Sequence, residues 1–310
     1  MTDLQKRLTA ANGALPDVPE QIPHGDMPGD SICISESHIR KTKKLLPVLL
    51  DALQEPAGTR RRLVVSIFGG SGVGKSEIAS LLAWYLGQNG IKSYILSGDN
   101  YPHRIPMYND AERERVFRTS GLKGLLDTDC YNSQVQKDLD ILWADSSDAA
   151  PQLQVRYPWL SIYQQAGRRG LEDYLGTEQE QDFEELNKIL RAFRRGDSRI
   201  WLKRMGRTEN ERWYDPIDFS NTDLMIVEWT HGGSPLLEGV DVPVFLHSTP
   251  QETLAHRQKR ARDGKTDRPF TTMVLQIEQE KLAAYAEHAE IWMSKNGEII
   301  RPVPETEGAE

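Results

Sequence analysis

An α/β fold, with a central parallel sheet flanked by helices, a mostly helical insertion and a lid, is predicted by three observations. Leu63, Val64, Val65, Ile67 and Phe68 form the near-continuous apolar run of a strand buried on both faces. From Ser76 the period changes, and Ile78, Leu81, Leu82, Tyr85 and Leu86 recur at helical spacing, so the helix has one apolar face to lay on a sheet. Residues 93–96 and 224–227 are further strand-like runs, each followed closely by an acid, Asp99 and Glu228, and residues 242–246 make another.

Between the first strand and helix, residues 69–76 read GGSGVGKS and satisfy the P-loop pattern G-x-x-x-x-G-K-[ST]. Glycines let successive backbone N–H groups turn inward, and the helix that follows adds its positive N-terminal end, so together they surround a polyphosphate. Gly70, Ser71, Gly72, Val73, Gly74, Lys75, Ser76 and Glu77 are therefore the expected nucleotide-binding residues. Lys75 is expected to reach the terminal phosphates, and the Ser76 hydroxyl to ligate the magnesium that accompanies ATP.

Composition narrows the setting. A chain of 310 residues with net charge -8 argues against nucleic-acid and anionic-membrane partners, although a local basic cluster can still bind a small anion. The two cysteines, Cys33 and Cys130, match no metal or disulfide spacing, which fits a reduced, cytoplasmic setting. No apolar run approaches membrane-spanning length, and the opening residues have no signal-like core. Homo-oligomerisation stays open.

Residues 1–34, with Pro16, Pro19, Pro23 and Pro28 and no periodicity, read as a loosely held arm, and residues 35–310 as the main domain. Ile39, Leu45, Leu46, Leu49, Leu50 and Leu53 make a helical stripe that Pro47 is expected to kink or divide. After the second strand comes Asp99. At the carboxyl end of a parallel strand it faces the ligand edge, where a carboxylate suits a general base taking a proton from an acceptor hydroxyl. Tyr101, His103 and Arg104 follow as candidate acceptor contacts.

Residues from about 101 to 175 read as an insertion on the acceptor side, with helices capped by Asp110 and Asn132. The aromatic and cationic residues Arg156, Tyr157, Trp159, Tyr163, Arg168, Arg169 and Tyr174 are favoured as a small satellite core over an acceptor clamp. A helix through Phe183, Leu186, Ile189, Leu190 and Phe193 stops at Gly196. It overlaps a basic cluster, Arg191 to Arg207, that serves either as a solvated face or as an anion site. Arg204 and Arg207, in an apparent loop, are its best acceptor candidates. Glu228 ends the next strand in the Walker B position on the metal side, with His231 in the loop beyond. Arg260 and Arg262 then fall in a basic stretch, about 256 to 269, that reads as a mobile lid bringing cations onto the transferring phosphate.

Two resemblances follow. The span SGVGKSEIASLLAWYLGQNGIKSYILSGDNYPHR resembles the opening of adenylylsulfate kinases, which pair a P-loop with a strand ending in G-D-N. From about residue 182, the helix L-R-A-F-R-R-G, the loop through Tyr214 and Asp215, the strand LMIVE, the strand VFLH and the R-x-R-D segment resemble the uridine kinase, phosphoribulokinase and pantothenate kinase group. That resemblance implies an ATP- and magnesium-dependent kinase acting on a hydroxyl of a small metabolite, whether anionic or neutral. Lys75, Asp99, Glu228, Arg260 and Arg262 would be catalytic, and Ser76 and Glu228 would hold the metal. Adenylylsulfate kinase is the narrower alternative. A nucleotide-hydrolysing switch or regulatory module is the different class, with no N-K-x-D guanine signature at Asn187 and Lys188 to support it.

Overall fold

Strand β1 (Leu63–Gly69) is buried at every position, as its unbroken apolar run requires, and the sheet is organised around it. The computed structural model describes residues 1–11, 16–19, 21–249, 251–252 and 268–300. Within these, β1 pairs in parallel with β5 (Leu224–Glu228) on one side and β6 (Val242–Leu246) on the other. Strand β2 (Ser93–Ser97) adds beyond β5, β7 (Ile291–Met293) beyond β6, and the short β8 (Ile299–Ile300) closes the edge antiparallel. The order is β2-β5-β1-β6-β7-β8.

Alternate residues of β1 serve opposite faces. Leu63, Val65 and Ile67 join a cluster with α2 (Glu36–Ala52) and α4 (Lys75–Gln88), while Val64 joins one with α8 (Phe183–Arg195). Both faces are covered, so polar alternation never develops. The chain forms two compact units, a sheet unit of Met1–Tyr101, Phe183–Thr249 and Leu282–Glu310 and a helical unit of Pro102–Asp182 and Pro250–Lys281.

Several expectations are corrected. The opening residues are not loosely held: α1 (Asp3–Ala10) is capped by Thr2, and Leu4 and Leu8 are buried in the core beside α3 (Gln54–Thr59). Arg7 adds a two-pronged pair to Asp223 at 2.7 and 2.6 Å. Helix α2 is not divided at Pro47 but continues through it to Ala52, with Leu45, Leu46, Leu49 and Leu50 buried in the core on either side of the proline. The stretches around Arg204 and through Tyr214 and Asp215, read as loop, lie in an antiparallel hairpin of β3 (Arg199–Met205) and β4 (Arg212–Asp218). After helix α9 (Pro269–Ala286) the chain enters β7 at Ile291.

The helical unit begins earlier than its sequence pattern suggests. Helix α5 (Pro106–Asp127) starts on a proline, so Asp110 lies inside it and does not cap it. Asn132 does cap α6 (Ser133–Ala144), accepting from the N–H groups of Gln134 and Val135. Helix α7 (Leu160–Glu172) packs closely on α5: a methyl group on Gly167 would sit 2.5 Å from the Phe117 ring. Tyr157, Tyr163 and Tyr174 belong to a satellite core, as favoured.

Candidate functional site

Gly74 shapes the entrance to α4. It holds φ at 99°, a left-handed conformation, and a methyl group there would lie 3.0 Å from His38 Nε2. At the start of the loop, Gly69 passes so close to the next strand that an added methyl would meet the Leu246 carbonyl oxygen at 2.4 Å. The loop is thus a cradle that only backbone fits. Val73 anchors it in the core, and the first-turn amides of α4, which have no acceptor in the intrahelical ladder, are left for another partner. The Glu77 side chain is buried, so its backbone N–H is what it can offer a phosphate.

Lys75 Nζ donates to the carbonyls of Gly69 and Gly70, at 3.1 and 3.3 Å, folding across the mouth. Glu228, at the carboxyl end of β5, pairs in register with Ile67 of β1 and Ser97 of β2. Its carboxyl is pushed up to about 7, mainly by burial; Lys75 and a hydrogen bond from Ser76 pull the other way, and the charges of Asp99 and Asp30 push further up. Lys75, Ser76, Asp99, Glu228 and Asp30 therefore converge at one edge of the sheet. Asp99 itself is exposed, in the single turn Gly98–Asn100 after β2.

Asp30 was missed, as was the segment that brings it there. Four residues earlier, Asp26 accepts from Ser97 N–H (2.8 Å), Asn100 Nδ2 (3.1 Å), Tyr94 Oη (2.9 Å) and Arg204 Nη1 (2.9 Å). Burial raises its pKa, against the pull of Arg204. Asp26 thereby ties the chain just before Asp30 to both ends of the Asp99 turn. No periodicity marks these two aspartates; the Asp26 carboxylate is recognisable only once its donors are assembled from two distant segments, 94–100 and Arg204.

Trp229 braces the same turn. Its ring is buried against Gly98, where a methyl group would fall 2.0 Å from Cγ, and against Phe183 at 5.1 Å. The tryptophan after Glu228 and the glycine before Asp99 are thus one fitted pair. His231 is buried edge-on to Trp229 at 5.2 Å, so it serves this packing and does not present an open imidazole.

Other expected acceptor contacts fare differently. Arg204 is not in a loop: it lies buried on β3, engaged with Asp26, Tyr94 and, at 3.2 Å, Asp215. Its charge organises the site from within. The Arg207 N–H donates to Glu211 Oε2 at 2.7 Å, in the turn between β3 and β4. Tyr101 is buried, and its hydroxyl has no hydrogen-bond partner among the described residues. His103 Nε2 donates to the Glu178 carbonyl, and Arg104 donates to Tyr174 Oη, both inside the helical unit. The basic cluster splits: Arg194 and Arg195 end α8 near the start of β1, where Arg62 bonds the Phe193 and Asp197 carbonyls, whereas Arg204 sits by the end of β2. Arg260, Arg262 and most of the lid lie outside the described residues.

The parallel sheet, the glycine cradle and the lysine and serine at its mouth define a P-loop α/β fold. Over 238 residues, 77% of its length, the chain is 38% identical to the bifunctional alpha-galactosidase/sucrose kinase AgaSK of Mediterraneibacter gnavus. It spans 20% of that protein's length. Among solved structures it is similar to a candidate fructose transport system kinase from Silicibacter sp. TM1040, at 14% identity and TM-score 0.44, covering 83% of this chain and 96% of that one. It is also similar to a possible uridine kinase from Bacillus stearothermophilus, at 15% identity and TM-score 0.35, covering 71% and 92%. No family model matches the chain.

Proposed function

We propose that this chain is an ATP-dependent kinase that transfers a phosphoryl group to a hydroxyl of a small metabolite, a saccharide of the sucrose type being the first acceptor to test. The observation that carries the reading is the convergence of Lys75, Ser76, Asp99 and Glu228 at one edge of the sheet, in a chain 38% identical to a protein with sucrose kinase in its name. The site's chemistry suits Mg-ATP: a backbone cradle for phosphate, a lysine at its mouth, and a serine hydroxyl beside a carboxylate. Among the described residues no three His, Cys, Asp or Glu side chains form a metal site of their own. A magnesium ion at Ser76 and Glu228 would take its remaining ligands from phosphate and water, as magnesium commonly does.

Mg-ATP, when bound, supplies the transferable phosphoryl group. The loop amides and Lys75 then hold and orient the phosphates, Ser76 and Glu228 serve the metal side, and exposed Asp99 takes the proton from the acceptor hydroxyl. Asp26 and Trp229 fix the turn that carries Asp99. Arg260 and Arg262 are proposed to close over the phosphates. The setting proposed is cytoplasmic, with no nucleic-acid or membrane partner; no described helix is long and apolar enough to cross a membrane.

The test is ADP release from purified protein with Mg-ATP, alone and with sucrose, fructose, uridine, pantothenate and adenylylsulfate. A large increase with one acceptor, and a phosphorylated product by mass spectrometry, is expected. Steady ADP release that no acceptor changes would overturn the kinase reading in favour of a hydrolytic switch.

A further inference from the structure

At the amino ends of β1, β2 and β5, the edge of the sheet opposite the P-loop, a cleft of about 910 Å³ is lined by seven cationic side chains. Arg60, Arg61 and Arg62 run into β1, Lys92 into β2, Arg7 comes from α1, and Arg194 and Arg195 close α8. Such a concentration is unexpected in a chain of net charge -8. Asp223 is the one carboxylate in the lining, and Arg7 already holds both its oxygens. Arg60 and Arg194 share Asp241, and Arg195 pairs with Asp197.

Three cations are left over. Arg61 and Lys92 are exposed and make no side-chain hydrogen bond or ion pair among the described residues. Arg62 is held rigidly by the carbonyls of Phe193, Asp197 and Phe219 at 2.9, 2.8 and 2.7 Å, and lies over the Phe193 ring at 5.0 Å. Carbonyls orient the guanidinium without cancelling its charge. Like charges gathered in a concave site repel one another unless an anion enters, and guanidinium groups favour phosphate oxygens.

We propose that this cleft binds a small phosphorylated metabolite, at a site separate from the P-loop. Its volume lies within the roughly 300–1,000 Å³ of small-molecule sites. Thr59, Ser220, Asn221 and Thr222 on its wall give hydroxyl and amide groups for the body of a hydroxylated ligand, while the unpaired cations take its phosphates. The ligand would rest at the roots of the strands whose far ends carry the P-loop, the Asp99 turn and Glu228.

The test is calorimetric titration of inorganic pyrophosphate, in EDTA, into the wild-type chain, a Lys75→Ala variant and an Arg61→Gln/Lys92→Gln variant. The wild type is expected to show two classes of site. Lys75→Ala should weaken one, and the double variant should weaken the other at least tenfold while its thermal melting stays as in wild type, since both side chains are exposed. Only one class of site in the wild type, or a double variant that binds as the wild type does, overturns the proposal. A glutamate-rich oligopeptide titrated in parallel provides the remaining outcome: if it binds through Arg61 and Lys92 and pyrophosphate does not, the cleft is a polypeptide surface and the metabolite site is excluded.

Discussion

The stretch 63–76 and the segment 1–30 hold the sheet by opposite means, and only the end of the second, Asp26 and Asp30, reaches the edge where Asp99 and Glu228 lie. The first is continuous: strand, turn and helix follow one another, and each residue's role depends on its near neighbours in sequence. The second contributes at a distance. Thr2 caps a helix and bonds to the Ala57 carbonyl, Arg7 reaches Asp223, and Asp26 gathers donors from residues 94 to 204 before Asp30 enters the acid cluster. A motif is local geometry, and local geometry repeats wherever its residues do. A hub such as Asp26 is defined by what surrounds it, so the same residue in a similar proline-containing stretch elsewhere has no reason to do anything.

The largest expected effect tests the motif side. Asp99→Asn should lower kcat by about 10²- to 10⁴-fold, the usual worth of a positioned base, while leaving ATP affinity nearly unchanged. Unaltered turnover would remove Asp99 from the proton transfer and leave the site's chemistry to Glu228. On the arm side, Asp26→Ala should cost about 3 kcal/mol, because it removes the buried carboxylate partner of Arg204, leaving it only the partly exposed Asp215, and unpairs Ser97 N–H and Asn100 Nδ2. A loss below 1 kcal/mol in urea unfolding would mean that the segment is as loosely held as its composition suggests.

A third experiment joins the two regions. Glu228, raised from an ordinary 4.5 to about 7, keeps in the native state a proton that the unfolded chain releases. Its contribution is therefore full below pH 4.5 and is lost as pH rises through 7, a decline of up to roughly 3 kcal/mol. Glu228→Gln should flatten that slope in urea midpoints taken from pH 5 to 8. Asp30→Asn, in the arm, should reduce it in part, because one of the like charges is gone. A slope indifferent to Asp30 would separate the arm from the acid cluster. Smallest is Thr2→Ala, which removes the cap of α1 and should lower stability by about 1 kcal/mol; no change in thermal melting would mean that burial of Leu4 and Leu8 alone seats the helix.

Much of this was legible beforehand. Leu63 to Phe68, the glycines of the loop and the stripe of α8 carry their structure in their own pattern, because a strand buried on both faces and an amphipathic helix each impose a period. Asp99 and Glu228 could be placed at the ligand edge because carboxyl ends of parallel strands share one side of a sheet. Pro47 does not divide its helix, because tertiary anchoring on both sides outweighs the single hydrogen bond a proline deletes. Arg204 misled because β3 is buried at every position from Leu202 to Met205, and a run that buries Lys203 and Arg204 carries no apolar pattern to mark it as a strand.

The sequence by itself determined the glycine-rich loop between strand and helix, the order of the sheet's elements along the chain, and the two acids at strand ends, since each depends on spacing within a few residues. Only the tertiary structure decided that Asp26 and Arg204 are one buried pair, that Trp229 fills the space Gly98 leaves, and that Arg61, Arg62 and Lys92 meet in a single cleft. Those contacts join residues tens to hundreds of positions apart, and the free energy of such a contact exists only after the chain has closed the loops between them.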